Sequence, residues 1–311
     1  MKITKIALIG FGDHVLKRVL PSLKKIKKLK LEFIIVRNVK KYKKKYINLK
    51  INFYSYRKKI NDDIKWVYIA TPNTSHFELS NKYLDQNKNV ICEKPLTNSY
   101  DKTNFLINKA KFNNLKLHEV DMFKHHLQFK YLTKIIKSNF NKIINIDTKF
   151  IIPHLEKSNN IYKKKLSEDS LYSLGYYPVS LLISLIGEPK EIIYFQNKIS
   201  DYQINLSGKV KFIYNNFHCN LSWKIGGKYK NYIKINTNKN SYLFNRIFSK
   251  DYDFNSKVVI QSSTNKNKNE IILGKDDQFV NMINKFIFSK NNPKYLITKK
   301  IIRYLEKINK N

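Results

Sequence analysis

The residues best suited to chemistry sit at the ends of short apolar runs. Glu93-Lys94-Pro95 follows Asn89–Cys92, Thr71-Pro72-Asn73 follows Trp66–Ala70, and Gly10-Phe11-Gly12-Asp13-His14-Val15 follows Ile6–Ile9. A lysine directly after a buried strand, biased to extended backbone by the proline behind it, is poorly placed to be a random solvated charge. Its ammonium would hydrogen-bond a substrate hydroxyl or polarise a carbonyl, and partial burial beside a cofactor would tune its pKa. On composition alone Lys94 reads equally as one of 60 Lys and Arg residues. In G-x-G-x-x-V, Gly10 permits a tight turn and Gly12 lets the backbone approach a pyrophosphate, while Val15 replaces the usual third glycine. Taken by itself the pattern is equally a plain strand–turn–helix. Three histidines, His118, His125 and His126, lie near acids, but their spacing fits no standard ligand set and no metal is expected.

These residues need elements to hold them. From Trp66 to Leu96 the chain reads strand, loop, helix, strand, with Phe77, Leu79, Tyr83 and Leu84 at helical spacing. A crossover of this length joins parallel strands, and ligands of such sheets collect beyond the strands' carboxyl ends. Ile3–Ile9 is the first strand, followed by a helix burying Val15, Leu16, Val19 and Leu20, with Pro21 inside it or ending it. The position ahead of the Trp66–Leu96 unit strengthens the glycine motif. Leu31–Val36 is the second strand and ends at Arg37, where an acid would read a ribose hydroxyl and an arginine suits a 2′-phosphate. NADP is therefore the expected cofactor, with NAD possible. Lys40–Lys45 adds charge there or is a solvated face. Lys102–Asn113 reads as a helix and Leu115–Val120 as a strand.

In the second half, period-two alternation takes over. Ile144, Ile146, Thr148 and Phe150 face one way, as do Phe217, Cys219, Leu221 and Trp223, and Asn215-Asn216 is a hairpin turn candidate. Val179, Leu182, Ile183 and Ile186 form a helical stripe closed by Gly187, with Tyr177 at its start. By itself Tyr177 is a half-buried aromatic in a chain with 21 tyrosines. Asp276–Ile287 and Ile301–Ile308 are amphipathic helices expected to pack back on the first domain. The expected fold class is α/β, with a Rossmann dinucleotide-binding domain over 1–121. Residues 122–311 then form a substrate-binding and oligomerisation α+β domain with a mostly antiparallel open sheet. Its second face is offered to a partner subunit, so a homo-oligomer, dimer or tetramer, is expected.

Composition bounds the rest. Hydrophobic residues at 42% and aromatics at 14% support a large core in 311 residues. The net charge of +37 invites nucleic acid, but the lysines run from Lys2 to Lys310 and accompany Ile, Asn and Tyr, all with A/T-rich codons. Genome composition accounts for them together, and no nucleic-acid partner is expected. Cys92 and Cys219 form neither a disulfide framework nor a metal spacing. No apolar run reaches the ~20 residues of a membrane span, and a reducing cytoplasm is the expected compartment.

The segment TPNTSHFELSNKYLDQNKNVICEKPL resembles the signature of the glucose-fructose oxidoreductase / inositol dehydrogenase (Gfo/Idh/MocA) family of NAD(P)-dependent sugar oxidoreductases. The resemblance implies cofactor contacts from Gly10 to His14 and at Arg37, Thr71, Pro72, Asn73, Glu93 and Lys94. It implies that Lys94 reaches both nicotinamide ribose and substrate. It favours a cofactor or substrate contact for His76 over a plain helix-start hydrogen bond. MFKHHLQ resembles the family's domain junction, with Leu127 in place of the usual proline, and implies His126 and Gln128 near the substrate. LYSLGYYPV resembles D-x-G-x-Y-P-x, whose tyrosine, here Tyr177, is the proton donor or acceptor opposite the lysine, which would lower its pKa. Arg37, MFKHHLQ, FIIPHLEKSNNIY and GYYPV look closest to nucleotide-sugar 3-ketoreductases, implying a sugar or nucleotide-sugar substrate. Two departures stand out: Ser173 replaces the motif's aspartate, and Ser167-Glu168-Asp169 replaces a glycine-rich turn. They motivate the alternative of a catalytically altered member that senses NAD(P) or sugar as a regulator.

Overall fold

The apolar runs of the first unit pair into one six-stranded sheet: β1 (Thr4–Ile9), β2 (Leu29–Ile35), β3 (Phe53–Tyr54), β4 (Trp66–Ile69), β5 (Asn89–Cys92) and β6 (Leu117–Glu119). Its order is β3-β2-β1-β4-β5-β6, and every pair is parallel. Parallel strands are covered on both faces, which is why these segments read as continuous apolar runs rather than alternations. Ile6 to Ile9 and Val67 to Ile69 have no exposure at all. The helix His76–Asp85 covers one face through Tyr83 and Leu84, which join Val67, Ile69 and Val90 in the core. The strand order reverses at β1, which pairs with β2 on one side and β4 on the other. That is where a doubly wound sheet opens a crevice.

In this computed structural model the described residues are 3–163, 169–195, 204–264 and 267–310. They divide into two units, Met1–Asp121 with Phe279–Tyr295 and Met122–Gln278 with Leu296–Asn311. Of the two C-terminal helices, the body of Gln278–Phe288 thus falls with the first unit. There Phe286 stacks on His118 at 4.0 Å, and His118 in turn lies over Trp66. The body of Tyr295–Asn309 falls with the second, where Lys300 pairs with Glu188 and Tyr304 lies on Phe212.

Among the described residues the second unit carries eight strands: β7 (Ile143–Ile152), β8 (Glu191–Phe195), β9 (Ser207–Ile213), β10 (His218–Ile225), β11 (Lys230–Thr237), β12 (Asn240–Asn245), β13 (Ser256–Ser262) and β14 (Lys268–Gly274). The order is β14-β13-β12-β11-β7-β10-β9-β8, antiparallel except where β10 runs parallel to β7. β9 and β10 form the hairpin at Asn215-Asn216, closed by Tyr214 N donating to Phe217 O at 3.0 Å. Cys219, Leu221 and Trp223 point inward as their alternation requires. Ile144 does not: it is 55% exposed, and Ile143 is buried instead. The β7–β11 register jumps from Asn145↔Asn236 to Ile143↔Thr237, a bulge that reverses the phase of the strand's first two residues.

Candidate active site

The first unit gathers its chemistry at one end of the parallel sheet. Gly10, just past β1, has φ +90°, and a Cβ there would stand 2.7 Å from Ala70 O and 2.8 Å from Thr71 Cγ2. Glycine is required twice over, for the backbone and for the approach to the end of β4. A Cβ on Gly12 would meet nothing within 4 Å, so that face of the loop is open. This is the fit a dinucleotide needs, since only an open glycine lets a pyrophosphate reach the backbone N–H groups of the following turn. The fingerprint's close-packing glycine is Val15, fully buried, and the helix begins there with a wide π turn, Val15–Val19. Phe11 anchors the loop edge-on against Tyr46 and Phe53, and Tyr42 Oη donates to Phe11 O at 2.9 Å.

Arg37 is exposed one residue beyond Val36, close enough to Tyr56 for its charge to oppose the burial that raises that phenol's pKa. Asn38 Oδ1 accepts from Lys41 N at 3.0 Å and caps the lysine-rich helix Val39–Lys45. Past β4, Ser75 Oγ donates to Thr71 Oγ1 and Pro72 O at 2.7 and 2.8 Å, folding Thr71–Asn73 into a tight turn. His76 is buried with Nδ1 2.7 Å from Pro95 O and Nε2 2.9 Å from Thr71 O. It staples the loop after β4 to the loop after β5. Burial lowers its pKa against those two carbonyls, which favour the charged ring.

Past β5 stand Glu93 and Lys94. Glu93 Oε1 takes 2.7 Å from Tyr68 Oη and 3.0 Å from His14 Nε2, joining the glycine loop, β4 and β5 through one carboxylate. Burial would raise the Glu93 pKa, but His14, Tyr68 and Lys94 outweigh it and hold the carboxyl below its usual range. Burial lowers the Lys94 pKa to about 8, against the charges of Glu93 and Glu119. That places a lysine amine within reach of general acid–base work near neutral pH.

In the second unit Tyr177 opens the helix Tyr176–Leu185. It is 9% exposed and walled by Phe150, edge-on at 5.0 Å, with Phe248 at 5.6 Å and Phe123 at 5.9 Å. The turn before it, Leu171–Gly175, is held by Trp223, whose Nε1 donates to Ser170 Oγ at 3.2 Å. Ser173 Oγ bonds back to Asp169 O and Ser170 O, so the serine in place of the motif's aspartate is turned into its own helix. Ser167 and Glu168 lie outside the described residues. His126 and Gln128 have no exposure. His126 Nδ1 accepts from Gln128 N, capping the helix Leu127–Asn139, and Gln128 Nε2 donates to Asn245 O at 2.9 Å. Among the described residues no group of His, Cys, Asp and Glu could hold a metal ion, and no helix is long and apolar enough to cross a membrane.

Residues 4–121 match the model of an oxidoreductase family with an NAD-binding Rossmann fold, the Gfo/Idh/MocA family. The first domain belongs to that family. A dTDP-3,4-didehydro-2,6-dideoxy-alpha-D-glucose 3-reductase from Saccharopolyspora spinosa is 28% identical over 150 residues, 48% of this chain. A scyllo-inositol 2-dehydrogenase (NADP(+)) from Bacillus subtilis is 29% identical over 137 residues, 40% of this chain. The chain spans less than half the length of these two relatives, 45% and 40%. By structure it resembles the 3-ketoreductase KijD10 of Actinomadura kijaniata, solved with NADP and TDP-benzene. The TM-score is 0.90 at 19% identity, covering 99% of this chain and 98% of that one.

Within this Gfo/Idh/MocA frame, the glycine loop, Thr71–Asn73, Glu93 and Lys94 come together at one sheet end, with Arg37 past the neighbouring strand. His126 and Gln128 serve as a helix cap and a loop tie. Reading the sequence missed Tyr68 and Glu119. The signal each offered was a polar group within or ending an apolar run, without the neighbour it would meet.

Proposed function

We propose that the protein is an NADP-dependent oxidoreductase, with NAD as a possible substitute, acting on the carbonyl or hydroxyl of a sugar or nucleotide-linked sugar. The observation that carries this reading is the convergence of the open Gly12 face and the tuned Lys94 amine, linked through the His14–Glu93 contact. When bound, the nicotinamide supplies or accepts the hydride. The residues from Gly10 to His14 would receive the pyrophosphate on backbone N–H groups, and Arg37 the 2′-phosphate. Thr71, Pro72 and Asn73 line the path to Glu93 and Lys94, and His76 holds that path rigid. Lys94 polarises the reacting oxygen and Tyr177 exchanges the proton with it. His126 and Gln128 support the second domain through the helix cap and the tie to Asn245 O. The relatives' activities on dTDP-linked deoxysugars and on scyllo-inositol, and the TDP-benzene bound in KijD10, favour a nucleotide-linked sugar or a polyol. The outward face of the eight-stranded sheet pairs with a second copy in a homo-oligomer.

Fluorescence titration with NADPH and NADH, then turnover on keto-sugars, tests this. One-site binding that prefers NADPH is expected. Arg37→Asp is expected to weaken NADPH about tenfold more than NADH, the worth of a charge-assisted contact; equal losses would refute the Arg37 assignment. Near-normal turnover in both Lys94→Met and Tyr177→Phe would overturn the chemistry. The altered turn at Ser173 favours a second reading, a regulator that binds NAD(P) without turnover. Tight cofactor binding with no activity on any sugar would select it.

A further inference from the structure

Lys94 has two carboxylate neighbours, and they are held differently. Glu93 precedes it in the chain and is committed to Tyr68 and His14. Glu119 comes from the adjacent strand. The β5–β6 register sets it opposite Cys92, Val120 N donates to Cys92 O at 2.8 Å, and Leu96 N donates to Glu119 Oε1 at 2.7 Å. The end of β6 therefore brackets the Lys94-Pro95 peptide: the backbone N–H of Val120 holds Cys92 before it, and the Glu119 carboxylate holds Leu96 after it. It is 6% exposed, and a buried carboxylate is costly unless a cation and hydrogen-bond donors offset its desolvation. We propose that Glu119 is the positioning residue of Lys94: it fixes the backbone after the lysine through Leu96 N and supplies the counter-charge that keeps the buried amine protonated. The consequence for turnover rests on the function proposed above, whereas the electrostatic claim does not.

The groups facing this ammonium are Glu93 from its own segment, Glu119 from β6, and His76 from the helix beyond β4. Tyr68 and His14 act on it through Glu93. Cys92 is a neutral thiol, pushed far up by burial, and contributes no charge. Of these groups, Glu119 is the one that combines a negative charge with a grip on the backbone beyond Pro95.

Glu119→Gln separates the two contributions, because the amide oxygen still accepts from Leu96 N while the charge is gone. The measurement is competitive acylation of the protein without cofactor across pH 6–10, with Lys94 read by peptide mass spectrometry. With its pKa lowered by burial to about 8, wild-type Lys94 is expected to show its labelling midpoint there. Loss of a buried carboxylate is expected to lower this by about one pH unit, raising free-amine labelling at pH 7 about fivefold. Glu119→Asp is expected to restore most of the wild-type profile. An unchanged profile in Glu119→Gln would overturn the proposal and leave the proposed function standing. A shifted profile in a protein whose Lys94→Met variant turns over normally would do the reverse. Should Glu119→Gln fail to fold, Lys94→Met carries the test. Without the ammonium, Glu119 takes up a proton at higher pH, so this variant should lose more melting temperature than wild type between pH 5 and pH 7. Parallel losses would overturn the proposal.

Discussion

Single residues here are decided by space and charge more than by residue class. Gly10 is the clearest case, since its positive φ and the 2.7 Å approach to Ala70 O leave no room for a side chain. Gly10→Ala is expected to cost roughly 2 kcal/mol in denaturant unfolding and to weaken NADPH binding, whereas Gly12→Ala should leave stability nearly unchanged. The two glycines of one motif thus separate into a folding role and a ligand role. Lys94 and Tyr177 show the same dependence on surroundings. The lysine has acids and burial around it, and the tyrosine has three phenyl rings.

At the scale of elements, caps and wedges hold the site's supports. His126 caps the helix Leu127–Asn139 through Nδ1, and burial, reinforced by Lys250, lowers its pKa to about 3. A buried neutral histidine with a depressed folded pKa contributes stability above about pH 6.5, and that contribution is lost as pH falls toward 3. His126→Asn keeps the cap acceptor without the proton site. It is therefore expected to remove on the order of 2–3 kcal/mol of the stability lost between pH 6 and pH 4, read by chemical unfolding at each pH. Trp223 is the wedge under the turn that leads to Tyr177. A Cβ on Gly208 would come 1.9 Å from its ring, and one on Gly175 2.9 Å. Gly208→Ala must displace the indole from Ser170. It should lower stability by about 1–3 kcal/mol and reduce turnover more than cofactor affinity, because the damage falls in the second unit.

At the scale of the whole molecule, charge and the open sheet set behaviour in solution. A chain of +37 repels its own copies, so a face that self-associates needs acids to offset its lysines. On the outward face of the eight-stranded sheet Asp147 is such an acid, paired in register with Lys234 and Asn220, with Lys149 two residues on and Lys211 opposite Asn220. Asp147 accepts from Asn145 and Asn220, each at 2.8 Å, and Asn236 donates to Asn145. Sedimentation velocity at micromolar concentration is expected to show an oligomer that Asp147→Lys dissociates; a monomer throughout would refute the association. The same net charge predicts NADPH affinity that falls with added salt, in a titration from 50 to 500 mM.

The sequence by itself determined the parallel sheet, the glycine turn, the helix over β4 and β5, and the placing of Lys94 at a strand end. Each follows from local patterns: continuous apolar runs, a crossover of fixed length, a proline after a lysine. It equally determined the β9–β10 hairpin, where alternation and Asn215-Asn216 agree. Only the tertiary structure decided the phase of β7, since the bulge at Ile144 depends on the register of β11. Only it gave Gln128 its role, because the tie to Asn245 O needs a partner 117 residues away. Tyr68 and Glu119 were hidden for the same reason. Hydrogen bonds to Glu93 and Leu96 N arise from strand adjacency, and nothing in one strand's own residues encodes which neighbour its side chains will meet.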